Sequence, residues 1–324
     1  MKKGTKIGLA ATAALAAVTG VAGFIGFNEL MNRNAMFTPY LSKLFDKPSD
    51  AAAPFDENAP DERKEWFYNY NFEEHELLSD KGERLRGYLV RAEEPSDVYV
   101  FGVHGYRGNG KREFCYMAKF YHDKGYNVFV VDHQAAGESE GKYITFGYEE
   151  HKNCMKWLDY VLDTFGRDIQ IILHGVSMGS ATAMLMTGDE NLPDNIKFTV
   201  ADCGYTSQWN QFAHNISGTG AIAPVLISFL NAYNKAILGF GFKDVSPIDA
   251  VKKAKIPMLF IHGEADDFVP CFMIHELYDA CASEIKDKLT IPRAGHALSY
   301  VIDSAAYEAK VSEFTDRFIT TDRA

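Results

Sequence analysis

Residues 169–179 read Ile-Gln-Ile-Ile-Leu-His-Gly-Val-Ser-Met-Gly, and this stretch is the most informative part of the chain about its fold. It begins as an apolar run typical of a buried strand and ends in the pattern Gly-x-Ser-x-Gly, after which a helix is predicted to start. A serine on a sharp turn between a strand and a helix holds its hydroxyl above the sheet. The helix N-terminus then directs the N–H of Met178 toward developing negative charge. Ser177 is therefore a candidate nucleophile, and the Met178 N–H is a candidate oxyanion donor.

Strands and helices alternate on both sides of this turn. The eight predicted strands are 72–78, 84–90, 98–103, 128–132, 169–174, 198–202, 258–261 and 288–291. Helices are predicted over 113–124 and 148–165, besides the helix that begins at Ser177. This alternation predicts an α/β fold, with a mostly parallel eight-stranded sheet and helices on both faces. Functional side chains in such a sheet follow the carboxyl ends of the strands.

Two acid–base candidates follow the last two predicted strands. Asp266 comes after the seventh strand, and His296 comes after the eighth. The chain order Ser177, Asp266, His296 is the order expected of a catalytic triad on such a sheet. An imidazole can take the serine proton, while a carboxylate fixes its tautomer and stabilises its cation. Asp202 ends the sixth strand and is the alternative acid, unless it is a turn or cap residue.

A glycine-rich segment, residues 104–110, follows the third predicted strand. Such a loop can place a second N–H against an oxyanion, and Tyr106 is the candidate donor. The segment lacks the glycine and lysine spacing of a phosphate-binding loop, and no H-E-x-x-H zinc motif occurs in the chain. The five cysteines form no C-x-x-C pair. We therefore expect no cofactor and no metal.

Taken together, these motifs resemble the α/β-hydrolase superfamily. Within that superfamily, roughly residues 66–320 resemble bacterial membrane-associated or secreted hydrolases of the serine aminopeptidase and acylglycerol lipase types. Residues 132–141 resemble that family's D-x-R-G-x-G-x-S loop, with Gln134 and Ala135 where Arg and Gly are usual. The resemblance implies the α/β-hydrolase fold, with a short helical lid after the sixth strand at about residues 205–246.

The N-terminus predicts membrane insertion. Residues 7–27 form a stretch of 21 residues without a charge, long enough to span a bilayer, and three lysines precede it: Lys2, Lys3 and Lys6. By the positive-inside rule, the N-terminus stays in the cytoplasm and the remainder lies outside. We expect a signal-anchor at 1–27, a connector at 28–65 and the hydrolase domain at 66–324. The alternative is a signal peptide that is cleaved, which would give a secreted protein.

Composition and charge limit the classes of molecule that the protein can bind. The chain has 324 residues, with 33 Lys and Arg against 44 Asp and Glu and a formal net charge of −11, and it has no long basic run. A general nucleic-acid-binding protein needs a basic face, so this class is excluded. The expected substrate is a small or medium acyl ester. A peptidase or amidase that uses the same triad is the first alternative, and a non-catalytic, membrane-tethered binding protein is the second.

Overall fold

The computed structural model describes residues 21, 23–35 and 51–320. Most of the predicted signal-anchor at 1–27, part of the predicted connector at 28–65 and the last four residues lie outside the described residues. Residues 23–31 are helical and are called the N-terminal helix below.

All eight predicted strands are present in one sheet. Their spatial order is β1-β2-β4-β3-β5-β6-β7-β8. The pairs β1–β2 and β2–β4 are antiparallel, and all the other pairs are parallel. This confirms the predicted sheet. The strands are β1 Glu73–Leu78, β2 Arg84–Val90, β3 Val98–Val103, β4 Asn127–Asp132, β5 Gln170–Val176, β6 Ile196–Asp202, β7 Met258–Gly263 and β8 Lys286–Ile291.

Besides two 3-10 helices, Ser217–Ile222 and Phe242–Asp244, eleven further α-helices follow the N-terminal helix in the described residues. They are α1 Glu62–Tyr68, α2 Gly110–Phe114, α3 Ala118–Asp123, α4 Tyr148–Phe165, α5 Met178–Thr187, α6 Gln208–Asn215, α7 Ala223–Leu238, α8 Pro247–Val251, α9 Phe272–Ala280, α10 Ser299–Ile302 and α11 Ser304–Phe318. The prediction of one helix over 113–124 was wrong. The Asn109 side chain caps an earlier start by accepting from the Arg112 N–H, and the chain turns before α3 begins. Helix α1 crosses the predicted boundary between connector and domain, which stays a prediction.

The core has two layers, one on each face of the sheet. Every residue of β3 is buried, and its side chains alternate between the layers. Val100 packs in the layer that holds Tyr121 of α3, whereas Phe101 packs in the layer that holds Trp157 of α4. Full burial of one such side chain contributes about 1.5–3 kcal/mol, so both helix layers hold β3 at the centre of the sheet.

The segment between β6 and α8 (residues 205–246) is the one predicted as a lid, and we call it the β6 insertion. It contains α6 and α7. Four of its seven Phe, Tyr and Trp rings are buried in one apolar cluster with Met178: Tyr205, Phe212, Phe240 and Phe242. These four rings therefore pack the insertion onto the body.

A buried hydrogen-bond chain ties the outer helices to the sheet. His174 of β5 lies 2.9 Å from the Tyr121 hydroxyl through Nδ1 and 2.9 Å from the Tyr307 hydroxyl through Nε2. Tyr307 donates onward to Asp202 Oδ2 at 3.0 Å. Burial lowers the pKa of His174 to about 3, so the imidazole is neutral. One consistent assignment makes Tyr121 the donor to Nδ1 and Nε2–H the donor to Tyr307.

Tyr307→Phe should lower the free energy of unfolding by about 1–3 kcal/mol, because it leaves a buried imidazole N–H and a buried carboxylate oxygen unpaired. Urea denaturation would measure the loss. Tyr160→Phe is the matched control, since its hydroxyl pairs with a half-buried histidine, His75, where water can replace it. Equal losses in the two variants would contradict the role assigned to the buried chain.

Candidate active site

The turn at Ser177 is set by close backbone contacts. Ser177 itself has φ 57° and ψ −117°, a backbone conformation that residues other than glycine rarely adopt. A Cβ atom at Gly175 would lie 2.2 Å from the Gly179 carbonyl oxygen, and one at Gly179 would lie 2.0 Å from the Val103 carbonyl oxygen. Both glycines of the pattern are therefore required by the turn, which raises Ser177 above the carboxyl end of β5.

Three predicted residues meet at this edge of the sheet. Ser177 Oγ lies 2.8 Å from His296 Nε2, and His296 Nδ1 lies 2.7 Å from Asp266 Oδ2. They follow β5, β8 and β7, so the parallel sheet brings together residues that are far apart in sequence. The hydroxyl, the imidazole and the carboxylate form one continuous hydrogen-bonded line.

The charges around Asp266 keep it ionised. Its Oδ1 accepts hydrogen bonds from the N–H groups of Phe268 and Val269 at 3.0 and 2.9 Å. Its Oδ2 also lies 3.2 Å from Nε2 of His262. Burial acts to raise the pKa of Asp266, but the imidazoles of His296 and His262 outweigh it and hold this pKa well below its usual range.

His296 is shifted in the opposite direction. Burial alone would lower its pKa, but the Asp266 carboxylate more than compensates, and the pKa lies above its ordinary value of 6.5. The carboxylates of Glu113 and Asp202 act in the same direction. The imidazole is therefore a stronger base than a free histidine, which suits it to take a proton from Ser177.

The alternative acid, Asp202, is engaged elsewhere. Its Oδ2 accepts from Tyr307, and among the described residues its Oδ1 has no hydrogen-bond partner. Burial raises its pKa to about 7. The neighbour of Asp266, Asp267, is exposed. Of these three carboxyl groups, only that of Asp266 makes a hydrogen bond to His296 within the described part of the chain.

The two candidate oxyanion donors lie beside Ser177. Within the described ranges, neither the Met178 N–H nor the Tyr106 N–H donates a hydrogen bond to the protein. Tyr106 belongs to the loop after β3, which residues 104–110 form and which we call the oxyanion loop. A turn bond from the Gly108 N–H to the Gly105 carbonyl at 3.2 Å shapes this loop, and the Gly110 N–H donates to Asp132 at 2.8 Å.

Sequence reasoning missed Glu113, on α2. Its Oε2 accepts from the Gly105 N–H at 3.1 Å, and a Cβ atom at Gly105 would lie 3.2 Å from both Glu113 Oε2 and Ser177 Cβ. Burial raises the pKa of Glu113, while the Gly105 N–H and the charge of His296 oppose this shift. A carboxylate in a predicted helix carries no signal of such a position, because only the turn of the loop brings it there.

Residues 132–141, which resemble the D-x-R-G-x-G-x-S loop, form hydrogen bonds that hold neighbouring backbone in place. Asp132 accepts from the N–H groups of Gly110 and Glu138, both at 2.8 Å. Ala135 has φ 59° where the pattern has glycine. Gln134, in place of arginine, makes neutral hydrogen bonds to the Tyr143 carbonyl and the Asn153 amide. Gln134 therefore has no ionic role here.

One group of three possible metal ligands occurs in the described ranges. The ligand atoms of Cys203, Asp266 and His296 lie within 4.8 Å of one another. Burial raises the pKa of the Cys203 thiol well above its ordinary value, which opposes the thiolate that a metal would need. Asp266 and His296 are already bonded to each other. The arrangement fits an acid–base pair better than a metal site, and the absence of a metal stays a prediction.

Comparison with known proteins gives one consistent fold. A family model described as the alpha/beta hydrolase fold matches residues 100–219. The Bacillus subtilis (strain 168) protein YqkD, itself uncharacterized, is 28% identical over 241 residues, which cover 74% of this chain and 78% of YqkD. Among solved structures, a Pyrococcus furiosus esterase superposes with a TM-score of 0.64 at 20% identity, covering 84% of this chain and 99% of the esterase. An acylaminoacyl peptidase of Pyrococcus horikoshii superposes with a TM-score of 0.58 at 17% identity, covering 82% of this chain and 45% of the peptidase. At these identities the two structures show the fold alone.

Glu113→Gln should lower the pKa of His296, because it removes a negative charge while keeping an oxygen that can accept from the Gly105 N–H. The imidazole would then become protonated only at a lower pH than in the wild type. NMR titration of the protein labelled with 13C-histidine would measure the shift. Glu138→Gln, which removes an exposed carboxylate, is the control. An unchanged His296 titration in Glu113→Gln would contradict the prediction.

Proposed function

Because this chain has the α/β-hydrolase fold, we propose that it is a serine hydrolase that cleaves carboxylic esters through an acyl-enzyme intermediate. One observation carries the proposal. The hydroxyl of Ser177, the imidazole of His296 and the carboxylate of Asp266 form a hydrogen-bonded line at the carboxyl edge of the sheet. This line provides a nucleophile, a base and an orienting acid in the relation that acyl transfer needs.

In the first half of the reaction, His296 takes the Ser177 proton as the hydroxyl oxygen attacks the carbonyl carbon. The Asp266 carboxylate stabilises the imidazolium that forms. The N–H groups of Met178 and Tyr106 stabilise the negative oxygen of the tetrahedral intermediate. His296 then gives the proton to the departing alcohol oxygen, which leaves Ser177 acylated.

In the second half, His296 takes a proton from water, whose oxygen attacks the acyl carbon. The tetrahedral intermediate collapses, the bond to Ser177 Oγ breaks, and His296 returns the proton to the serine oxygen. The products are the carboxylic acid and the free enzyme, and the cycle requires no cofactor.

The surroundings of the site favour an uncharged acyl group over a peptide. The Tyr106 ring stacks on Phe146 at 4.8 Å, and Phe146 meets Phe212 of the β6 insertion at 4.8 Å. These rings make the packing beside the oxyanion loop apolar. A peptidase that acts at a chain end needs a charged group to hold the peptide terminus, but the Arg107 guanidinium in this loop is bonded to backbone carbonyls. The fold shared with an acylaminoacyl peptidase keeps peptide hydrolysis as the second candidate.

We also propose a membrane location, with the N-terminal segment as a single-pass anchor, the catalytic domain outside the cytoplasm and the β6 insertion as a lid. In the described residues, one helical stretch is long and apolar enough to cross a membrane, Ser217–Leu238, with a mean hydropathy of 1.4. Only 17% of an apolar 18-residue window within that stretch is buried, and Val225 is 47% exposed. Phe24 of the N-terminal helix, 49% exposed, contacts Tyr233 of α7 at 5.6 Å between ring centroids. The exposed apolar face of α7 therefore adjoins the end of the uncharged N-terminal stretch, as expected of a surface against lipid.

Ser177→Ala should abolish turnover of p-nitrophenyl esters, because it removes the hydroxyl that is acylated in the proposed mechanism. The full-length protein would be assayed with esters of increasing acyl length and with aminoacyl p-nitroanilides. Esters should be cleaved faster than anilides of similar size.

Ser180→Ala is the matched control, since Ser180 lies on the same helix and its buried hydroxyl has no hydrogen-bond partner in the described ranges. This variant should keep wild-type turnover. Faster cleavage of anilides would favour the peptidase. A folded wild-type protein that neither turns over substrate nor reacts with a fluorophosphonate probe would favour the non-catalytic binding protein.

Leu15→Lys should reduce membrane retention, because a lysine at the centre of an inserted helix costs about 3 kcal/mol. Position 15 lies in the uncharged stretch, outside the described residues. Carbonate extraction of cell membranes would compare this variant with the wild type. Asn34→Lys, at an exposed position beyond the stretch, should be retained like the wild type. Equal retention of all three proteins would contradict the anchor.

A further inference from the structure

The N-terminal helix ends against the oxyanion loop. The Arg107 guanidinium donates to the Glu29 carbonyl at 2.8 Å, to the Asn32 carbonyl at 2.9 Å and to the Arg33 carbonyl at 3.3 Å. The neighbouring Tyr106 hydroxyl donates to the Leu30 carbonyl at 2.7 Å. Two adjacent residues of the loop therefore bind successive carbonyls at the helix C-terminus.

These bonds satisfy carbonyl groups at the end of the helix. The last carbonyls of any helix lack partners within it, and the C-terminus carries partial negative charge. A guanidinium with several donors in a fixed fork satisfies both conditions at once. Arg107 acts as a cap supplied from 74 or more residues along the chain. The helix is thereby fastened to the loop and not only to the apolar surface beneath it.

Arg107 holds the loop in an unusual shape. Its φ is 55°, in the left-handed region that favours glycine, although glycines stand on either side of the Tyr106–Arg107 pair. A side chain kept in this region needs surrounding contacts that fix it. The Arg107 Nε also donates to the Tyr106 hydroxyl at 2.8 Å, so the guanidinium holds the residue that is proposed to supply the second oxyanion N–H.

A second, reciprocal contact fastens the same helix to the body. The Arg33 guanidinium, just beyond the helix, donates to the Gly137 carbonyl at 2.9 Å and to the Ser139 carbonyl at 2.6 Å. The Met31 carbonyl accepts from the Ile144 N–H at 2.7 Å. Phe27 and Met31 are each only 1% exposed. The helix end therefore has a fixed position relative to the sheet, so it can serve as a fixed support for the loop.

We propose that the N-terminal helix supports the hydrolytic site. Arg107 is the positioning residue through which this helix fixes the Tyr106 N–H of the oxyanion hole. This inference rests on the proposed function. Arg107 touches no reacting atom in this scheme. It acts by keeping the backbone amide at the place where negative charge develops, where small displacements weaken transition-state stabilisation steeply. The segment that continues from the uncharged N-terminal stretch would thus also govern the rate of acyl transfer.

The test compares full-length wild type with Arg107→Gln, Arg107→Lys and the control Arg112→Gln, whose guanidinium makes an exposed ion pair with Glu57. Active Ser177 would be counted by fluorophosphonate titration, so that kcat refers to folded sites only. We expect Arg107→Gln to lower kcat by about tenfold or more with KM changed less than about twofold, because the lost interaction is made in the transition state. Arg107→Lys should recover part of the loss, and Arg112→Gln should match the wild type.

Unchanged kcat per titrated Ser177 in Arg107→Gln would overturn the proposal, even if the melting temperature fell. The contacts of Arg107 with the N-terminal helix would then contribute to stability only. Hydrogen exchange of residues 23–35 provides a readout that does not depend on activity. Faster exchange in Arg107→Gln than in Arg112→Gln supports the fastening of the helix, and equal exchange overturns it. If wild type shows no turnover that depends on Ser177, the proposed function itself has failed, and hydrogen exchange still reports on the helix contact.

Discussion

The structure depends on the close approach of backbones where β5 passes into α5. The first turn of that helix lies against the end of β3, with the Val103 carbonyl oxygen 2.0 Å from where a Cβ atom of Gly179 would stand. Only glycine allows this approach. Because the approach is so close, the positive end of α5 lies at the sheet edge and the Ser177 hydroxyl stands free of its own backbone. The oxyanion loop, which continues from β3, is brought beside the same serine by the same contact.

Around this turn, charge is distributed so that the imidazole of His296 can act as a base. Asp266 is kept ionised by two backbone N–H groups and two imidazoles. It raises the pKa of His296 against the effect of burial. Asp202, equally buried, has one oxygen without a partner in the described ranges, and its pKa is raised to about 7. Two carboxyl groups of one sheet edge thus differ in pKa, because the imidazoles of His296 and His262 outweigh burial at Asp266 whereas burial dominates at Asp202.

Sequence patterns were sufficient where a local rule applied. The predicted strands match all eight observed strands to within a few residues, and β3, β4, β5 and β7 among them are the buried strands that a sheet covered on both faces requires. The Gly-x-Ser-x-Gly pattern located the turn because its glycines are demanded by short-range geometry. The helix predicted over 113–124 failed for a local reason as well, since the Asn109 cap shifts the start of α2 and leaves a break before α3.

Local patterns were therefore enough to predict the sheet, the serine turn and the residue types that can form the candidate triad. Which carboxylate reaches His296 depends on tertiary packing, because Asp202 ends β6 and Asp266 follows β7, so both lie at the same edge of the sheet and only the placement of their side chains separates them. Only the tertiary structure placed Glu113 under the oxyanion loop and joined Arg107 to carbonyls of the N-terminal helix. Contacts between residues so distant in the chain leave no periodicity or spacing, because they arise from how whole elements pack.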